Sequence, residues 1–210
     1  MKKLFLTLCL LSTQLFAEAP LKATDVKPLL PGTKAPIVKV KNQNNELIEL
    51  NPESLSKPYV LTFYRGGWCP YCNAQLAGLR KAEKELLDLG FDVFFISADS
   101  PEHLVSTLKD QDLKKEIDYQ LLSDASMKVS QDFGVAFKVD DPTVEKYKKW
   151  NIDLEKASGY DHHLLPVPAI FIVSQDGKVN FMYAIPDYSV RLDSSVLLAA
   201  ATSLKDKSKK

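Results

Sequence analysis

Tyr59-Val60-Leu61-Thr62-Phe63-Tyr64-Arg65-Gly66-Gly67-Trp68-Cys69-Pro70-Tyr71-Cys72 carries the chain from a strand into a helix and sets two thiols at the junction. Tyr59 to Tyr64 reads as a buried strand, and Asn73 to Leu89 as an amphipathic helix, with Leu76, Leu79, Leu86 and Leu87 at helical spacing and Gly90 as its stop. Cys69 therefore falls at a helix N-terminus, where unpaired backbone N–H groups and the helix dipole favour an anion. A thiol held there ionises more easily, and the thiolate is the form that attacks peroxides and disulfides. The structural alternative is a plain Cys69–Cys72 cross-link, but a loop this short removes little entropy from the unfolded chain.

On the N-terminal side, Ile37 to Lys41 and Glu46 to Leu50 alternate apolar and polar residues across Asn42-Gln43-Asn44-Asn45, the pattern of a β-hairpin. On the C-terminal side, Phe91 to Ala98 is a second buried strand. Ser100-Pro101 opens a short helix, Tyr119 to Ser123 is a short strand, and Ser126 to Phe133 a helix. Val167 to Val173 is a strand led in by Pro168, and Val179 to Ala184 is its antiparallel mate across the Gln175-Asp176-Gly177-Lys178 turn. Asp193 to Leu204 closes the chain as a helix with Val196, Leu197, Ala200 and Leu204 on one face. Alternating strands and helices predict an α/β fold with a mostly parallel central sheet. Gly134 to Pro166 is irregular, with a helix near Thr143 to Trp150, and reads as an insertion before the proline-led strand, a lid or binding surface.

The ends address compartment. Residues 1–17 read as a secretory signal peptide: Lys2 and Lys3, then Leu4 to Leu11, then Leu15-Phe16-Ala17 at the cleavage point. The apolar stretch is shorter than the roughly 18 residues of a membrane span, so no stable membrane insertion is expected after cleavage. Residues 18–34 form an extended lead-in, 35–204 one domain, and 205–210 a basic, solvated tail. The chain balances 27 basic residues against 27 acidic, and nothing in that charge asks for nucleic acid. Cys9 leaves with the signal peptide. The remaining two thiols would then work in an oxidising compartment, the bacterial periplasm, where a dedicated electron donor must keep them reduced.

The Trp68-Cys69-Pro70-Tyr71-Cys72 turn within a βαβ start, together with Val167-Pro168 opening a core strand, resembles the thioredoxin superfamily. Phe63 to Leu76, Leu121-Leu122-Ser123-Asp124, Leu165 to Val173, Asp176 to Val179 and Pro186-Asp187-Tyr188 narrow it. From about Ala35 to Leu204 the chain resembles the peroxiredoxin-like branch of the alkyl hydroperoxide reductase and thiol-specific antioxidant family. That resemblance implies a thioredoxin-like fold: a central mixed sheet flanked by helices, with the N-terminal hairpin and the insertion added. It implies an antioxidant thiol peroxidase of hydrogen or organic peroxides. Cys69 would be oxidised to a sulfenic acid, Cys72 would resolve it into a redox-active disulfide, and a thioredoxin-like or membrane-relay donor would reduce that disulfide by attacking Cys69, the more exposed sulfur. No cofactor and no metal are implied. Pro168 matches a proline that is cis in the superfamily, and the backbone before it, at Val167, would pair with a bound thiol substrate.

Two departures stand out. Typical members carry a threonine three residues before the peroxidatic cysteine, where this chain has Gly66, and an arginine near the position of Pro168. Both lost groups stabilise the departing oxygen. Arg65 is the candidate replacement, a fixed charge with a fork of donors, its alternative being a surface ion pair at a strand end. Trp68 either shields the thiolate from water or is simply core. The missing groups also admit a second function, an exported thiol-disulfide oxidoreductase using the same pair. A third is a copper-binding thioredoxin-fold protein, with both thiolates and His162 or His163 as ligands. His103 is expected on the surface.

Overall fold

The computed structural model describes residues 18–106 and 120–207. The expected signal peptide, Tyr119 and the last three residues of the basic tail lie outside the described residues. In chain order the elements are β1 (Val38–Asn42), β2 (Leu47–Leu50), β3 (Tyr59–Phe63), α1 (Pro70–Asp88), β4 (Asp92–Ser97), α2 (His103–Ser106), β5 (Gln120–Ser123) and α3 (Lys128–Asp132). They continue with β6 (Ala136–Lys138), α4 (Asp141–Lys149), α5 (Leu154–Ser158), β7 (Leu164–Pro166), β8 (Ala169–Val173), β9 (Val179–Ala184) and α6 (Ser194–Lys207).

Among the described residues, seven strands form one mixed sheet in the order β2-β1-β5-β4-β3-β8-β9. β3, β4 and β5 run parallel, while β1 against β5, β3 against β8 and both hairpins are antiparallel. The sheet is therefore mixed rather than mostly parallel, because the hairpins add antiparallel pairs at its two edges. β3 and β8 lie in the middle and are buried at every position, which is why both read as near-continuous apolar runs. The first hairpin turns through Asn42, whose Oδ1 accepts from the amides of Asn44 and Glu46 at 2.9 Å each.

The sheet separates two apolar layers. On one face α1 buries Leu76, Leu79 and Leu86 beside Leu197 and Ala201 of α6. At about 1.5–3 kcal/mol for each fully buried leucine, this stripe fixes the helix against β3 and β4. On the other face Phe133, just past α3, meets Phe63 and Phe171 at ring-centroid distances of 5.2 and 5.0 Å.

Several expectations are adjusted. Leu87 and Val196 face solvent rather than the core, each 47% exposed, because the buried stripe on each helix is narrower than its apolar residues suggest. α1 begins at Pro70, so Cys72 lies in its first turn. The segment 134–166 is more regular than expected: β6 and β7 pair as a small two-stranded sheet, Ala136 opposite Pro166, and α4 and α5 lie between them, capped by Asp140 and Asp153. α6 continues through Lys205 to Lys207. The lead-in runs along the body, its Pro20 carbonyl accepting from the Lys138 amide at 2.8 Å and its Gly32 amide donating to Val179 at 2.8 Å.

Candidate active site

The strand-to-helix junction is held from three sides. The Gly67 amide donates to Asp99 Oδ2 at 2.7 Å, tying the turn to the end of β4. Asn73 Nδ2 donates to the carbonyls of Gly67 and Cys69, at 2.7 and 3.0 Å, closing it from within α1. The Cys69 carbonyl also accepts from the amides of Cys72 and Asn73, at 3.1 Å each. Asp99 and Asn73 are both buried and were not foreseen. Their only sequence signals were an aspartate at the end of a buried strand and an asparagine one turn past Cys69.

Cys69 is the N-cap residue of α1, with extended backbone and Pro70 following it. Both cysteines are free thiols. The Cys72 thiol donates to the Cys69 sulfur, and this bond is the largest of the effects that bring the Cys69 thiol down to about 6. Burial works against it, while the Cys72 amide and the charges of Arg65 and Arg191 assist. Cys72 goes the other way: burial, and then its neighbour Cys69, push its thiol well up. The pair is therefore polarised, with the anion on Cys69 and the proton on Cys72. One expectation is corrected. Cys69 is only 2% exposed, packed in the core cluster with Tyr64, Trp68 and Leu76, so it is not an open sulfur.

Arg65 is not at the surface. It is 4% exposed and donates from Nη2 to the Tyr147 hydroxyl. Its guanidinium carbon lies 4.5 Å from the ring centre of Tyr188, 5.3 Å from that of Tyr147 and 5.5 Å from that of Trp68. Three aromatic faces thus replace the carboxylate expected of a surface pair. Trp68 is packed between Arg65 and Gly66, which explains the glycine: a Cβ there would sit 2.3 Å from Trp68 Nε1 and 2.8 Å from Asp99 Oδ1. The indole occupies the space in which a threonine side chain would start.

A cavity of about 710 Å³ opens over Arg65 and is walled by Leu21, Tyr147, Val167, Pro168 and Tyr188. Val167 and Pro168 thus stand beside Arg65, as expected, yet their backbone differs from expectation. There is no cis peptide bond among the described residues, and the Val167 amide is already donated to Val135 at 3.0 Å, so it is not free for a thiol substrate. Arg191 was also missed. Its Nη2 lies 3.5 Å from Cys72 Sγ, a contact made across the fold from a loop with no local motif.

The histidines are spent elsewhere. His162 Nε2 meets the Ala125 carbonyl at 2.8 Å and its Nδ1 accepts from Leu164 at 3.0 Å, while His163 pairs with Glu155 at 2.8 Å. Among the described residues no cluster of His, Cys, Asp and Glu could hold a metal. His103 is half-buried rather than exposed, its Nδ1 2.9 Å from Ser100 Oγ.

Comparison with known proteins places this arrangement. The AhpC/TSA family model matches residues 31–182. Peroxiredoxin Bcp of Escherichia coli K12 is 34% identical over 160 residues, covering 75% of this chain and 87% of the relative. The chloroplastic peroxiredoxin Q of Suaeda salsa is 31% identical over 114 residues, 54% of this chain and 51% of its own. Among solved structures, peroxidoxin BcpB from Mycobacterium tuberculosis superposes with a TM-score of 0.62 at 21% identity, over 83% of this chain and 97% of that one. Enterococcus faecalis AhpC does so at 0.65 and 18%, over 87% and 96%.

Proposed function

The chain belongs to the AhpC/TSA family, and from that premise we infer that it is a thiol-dependent peroxidase in which Cys69 attacks the peroxide and Cys72 resolves the product. The Cys69 thiolate attacks one oxygen of R–O–O–H, the O–O bond breaks, and Cys69 becomes a sulfenic acid while the other oxygen leaves as an alcohol or water. Cys72 then condenses with that sulfenic acid, water departs, and a dithiol donor of the thioredoxin type reduces the disulfide. The observation that carries this reading is the polarised pair: a Cys69 thiol brought down to about 6 by a hydrogen bond from a neighbour that keeps its own proton. At neutral pH Cys69 is then mostly thiolate.

Arg65 takes the place of the missing threonine and arginine in this reading. Its charge is buried, acts more strongly there than at the surface, and helps to lower the Cys69 thiol. The cavity above it is lined by Arg65 but by neither cysteine, is walled mainly by apolar side chains, and would serve as the approach for an organic peroxide as well as hydrogen peroxide. The oxidoreductase alternative is not favoured, since the family match and the relatives of highest coverage are peroxiredoxins. Copper binding loses its histidines to Ala125 and Glu155. Export to the periplasm belongs to the same proposal, resting on the basic, apolar and Ala17 pattern of residues 1–17. N-terminal sequencing of the protein from a periplasmic fraction, beginning at Glu18, tests it.

The functional test is rapid mixing of the reduced protein with hydrogen peroxide and with cumene hydroperoxide. The expected result is oxidation of Cys69 far faster than that of a free thiol, lost in Cys69→Ser. Oxidation no faster than a free thiol would end the peroxidase reading.

A further inference from the structure

We propose that Arg191 is a catalytic residue of the resolving step, supplying positive charge to Cys72 Sγ as that sulfur gives up its proton and attacks oxidised Cys69. Its Nη2 lies 3.5 Å from Cys72 Sγ, within reach of an N–H···S bond. The opposite arm of the guanidinium is anchored: Nη1 donates to the carbonyls of Tyr188 and, at 2.7 Å, of Val190. The side chain is thus aimed at the sulfur by its own loop.

Cys72 is completely buried, and an anion buried without a partner is costly. While Cys69 is a thiolate, Cys72 has no need to ionise, because it serves as the donor. Oxidation reverses that demand. Once Cys69 carries S–OH, the Cys72 proton passes to the departing hydroxyl as the S–O bond breaks and the S–S bond forms, and water leaves. The Cys69 sulfur gains the electron that the Cys72 sulfur loses, so the step balances within the pair. When a dithiol donor later attacks Cys69 Sγ, Cys72 is expelled as a thiolate, and the same guanidinium receives it.

Arg65 is not placed for this task, since its guanidinium is committed to the Tyr147 hydroxyl and the surrounding rings. Arg191 is the arginine in direct contact with Cys72. Tyr188 joins the two arginines, its ring against Arg65 and its carbonyl accepting from Arg191.

The inference rests on the reading of Cys69 as the sulfur oxidised first, and the test separates the two. Reduced wild type, Cys72→Ser, Arg191→Ala, Arg191→Gln and Arg191→Lys are each given a stoichiometric pulse of hydrogen peroxide. A dimedone-type reagent traps sulfenic acid, which is located by mass spectrometry. Cys72→Ser without any Cys69 sulfenate would defeat the peroxidase reading itself.

With sulfenate formed there, Arg191→Gln and Arg191→Ala are expected to lengthen its lifetime at least about tenfold, the lower end of the worth of a hydrogen bond to a charged group. The peroxide step should slow by less than that, since Arg191 is the weakest of the influences on Cys69. Arg191→Lys should recover part of the lost rate, and raising the pH should rescue Arg191→Gln as Cys72 ionises unaided. Resolution at the wild-type rate in Arg191→Gln, equal slowing of both steps, or no difference between lysine and glutamine would each overturn the assignment.

Discussion

Replacing Cys72 with alanine removes the S–H that donates to the Cys69 thiolate, the largest of the influences on that thiol. A hydrogen bond to a charged group is worth about 1.5–3 kcal/mol. At about 1.4 kcal/mol per tenfold in proton affinity, its loss moves the titration up by roughly one to two pH units. Cys69 should then titrate between about 7 and 8 instead of about 6. Arg191 Nη2, 3.5 Å from the lost sulfur, belongs to a guanidinium held by the Tyr188 and Val190 carbonyls, so it does not replace the missing donor. Cys72→Ser keeps a donor of similar size and should hold Cys69 nearer its starting value. The assay is the pH dependence of Cys69 alkylation by iodoacetamide, read on the peptide containing residue 69. Cys72→Ala titrating at or below the wild-type value would refute the polarised pair, and with it the claim that the two thiols were built to hold one charge.

Arg65→Ala should raise the Cys69 titration and slow its reaction with peroxide, and Arg65→Lys should recover little of either, because a planar guanidinium fits between three rings and a compact ammonium does not; stopped-flow rates across pH decide it, and full recovery by lysine would show that only charge matters. Gly66→Thr should lower stability by about 1–3 kcal/mol through overpacking against Trp68, seen as a drop in the urea midpoint, and an unchanged midpoint would remove the steric account. Asp124, buried and accepting from the amides of Val129 at 3.0 Å and Ser130 at 2.7 Å, has its carboxyl raised by burial from 3.8 to about 6. The unfolded chain loses that proton near 3.8 and the folded chain keeps it to about 6, so this group's contribution is present below 3.8 and fades as pH rises to about 6, by no more than about 3 kcal/mol. Urea titrations should give Asp124→Asn a smaller loss of stability over that window than wild type; parallel curves would contradict the assignment.

The parts of this fold that could be read from the chain were those written in one stretch. Tyr59 to Phe63 is apolar but for Thr62, and buried at every position, because both its faces are covered. The asparagine turn closes a hairpin with its own side chain, and α1 announces itself by its leucines. What stayed hidden depends on residues distant in sequence. β6 and β7 are three residues each, too short for any periodicity, and exist because they find each other. Arg65 reads either as a replacement catalytic charge or as a surface cation until Tyr147 arrives from within the insertion and Tyr188 from beyond it. Arg191 carries no motif, since its meaning lies in a sulfur 119 positions away. The backbone at Val167 was anticipated from kinship, and its amide turned out to be engaged by Val135.

The crowding between position 66 and Trp68 has an evolutionary corollary. A lineage carrying glycine and tryptophan here cannot regain the hydroxyl-bearing side chain of its cousins by one substitution, because the intermediate would collide with the indole before any benefit accrued. The bulky neighbour must shrink first, at the expense of one wall of the arginine's cage. Positions 66 and 68 are therefore coupled, and homologues with a side chain at 66 should carry a smaller residue at 68.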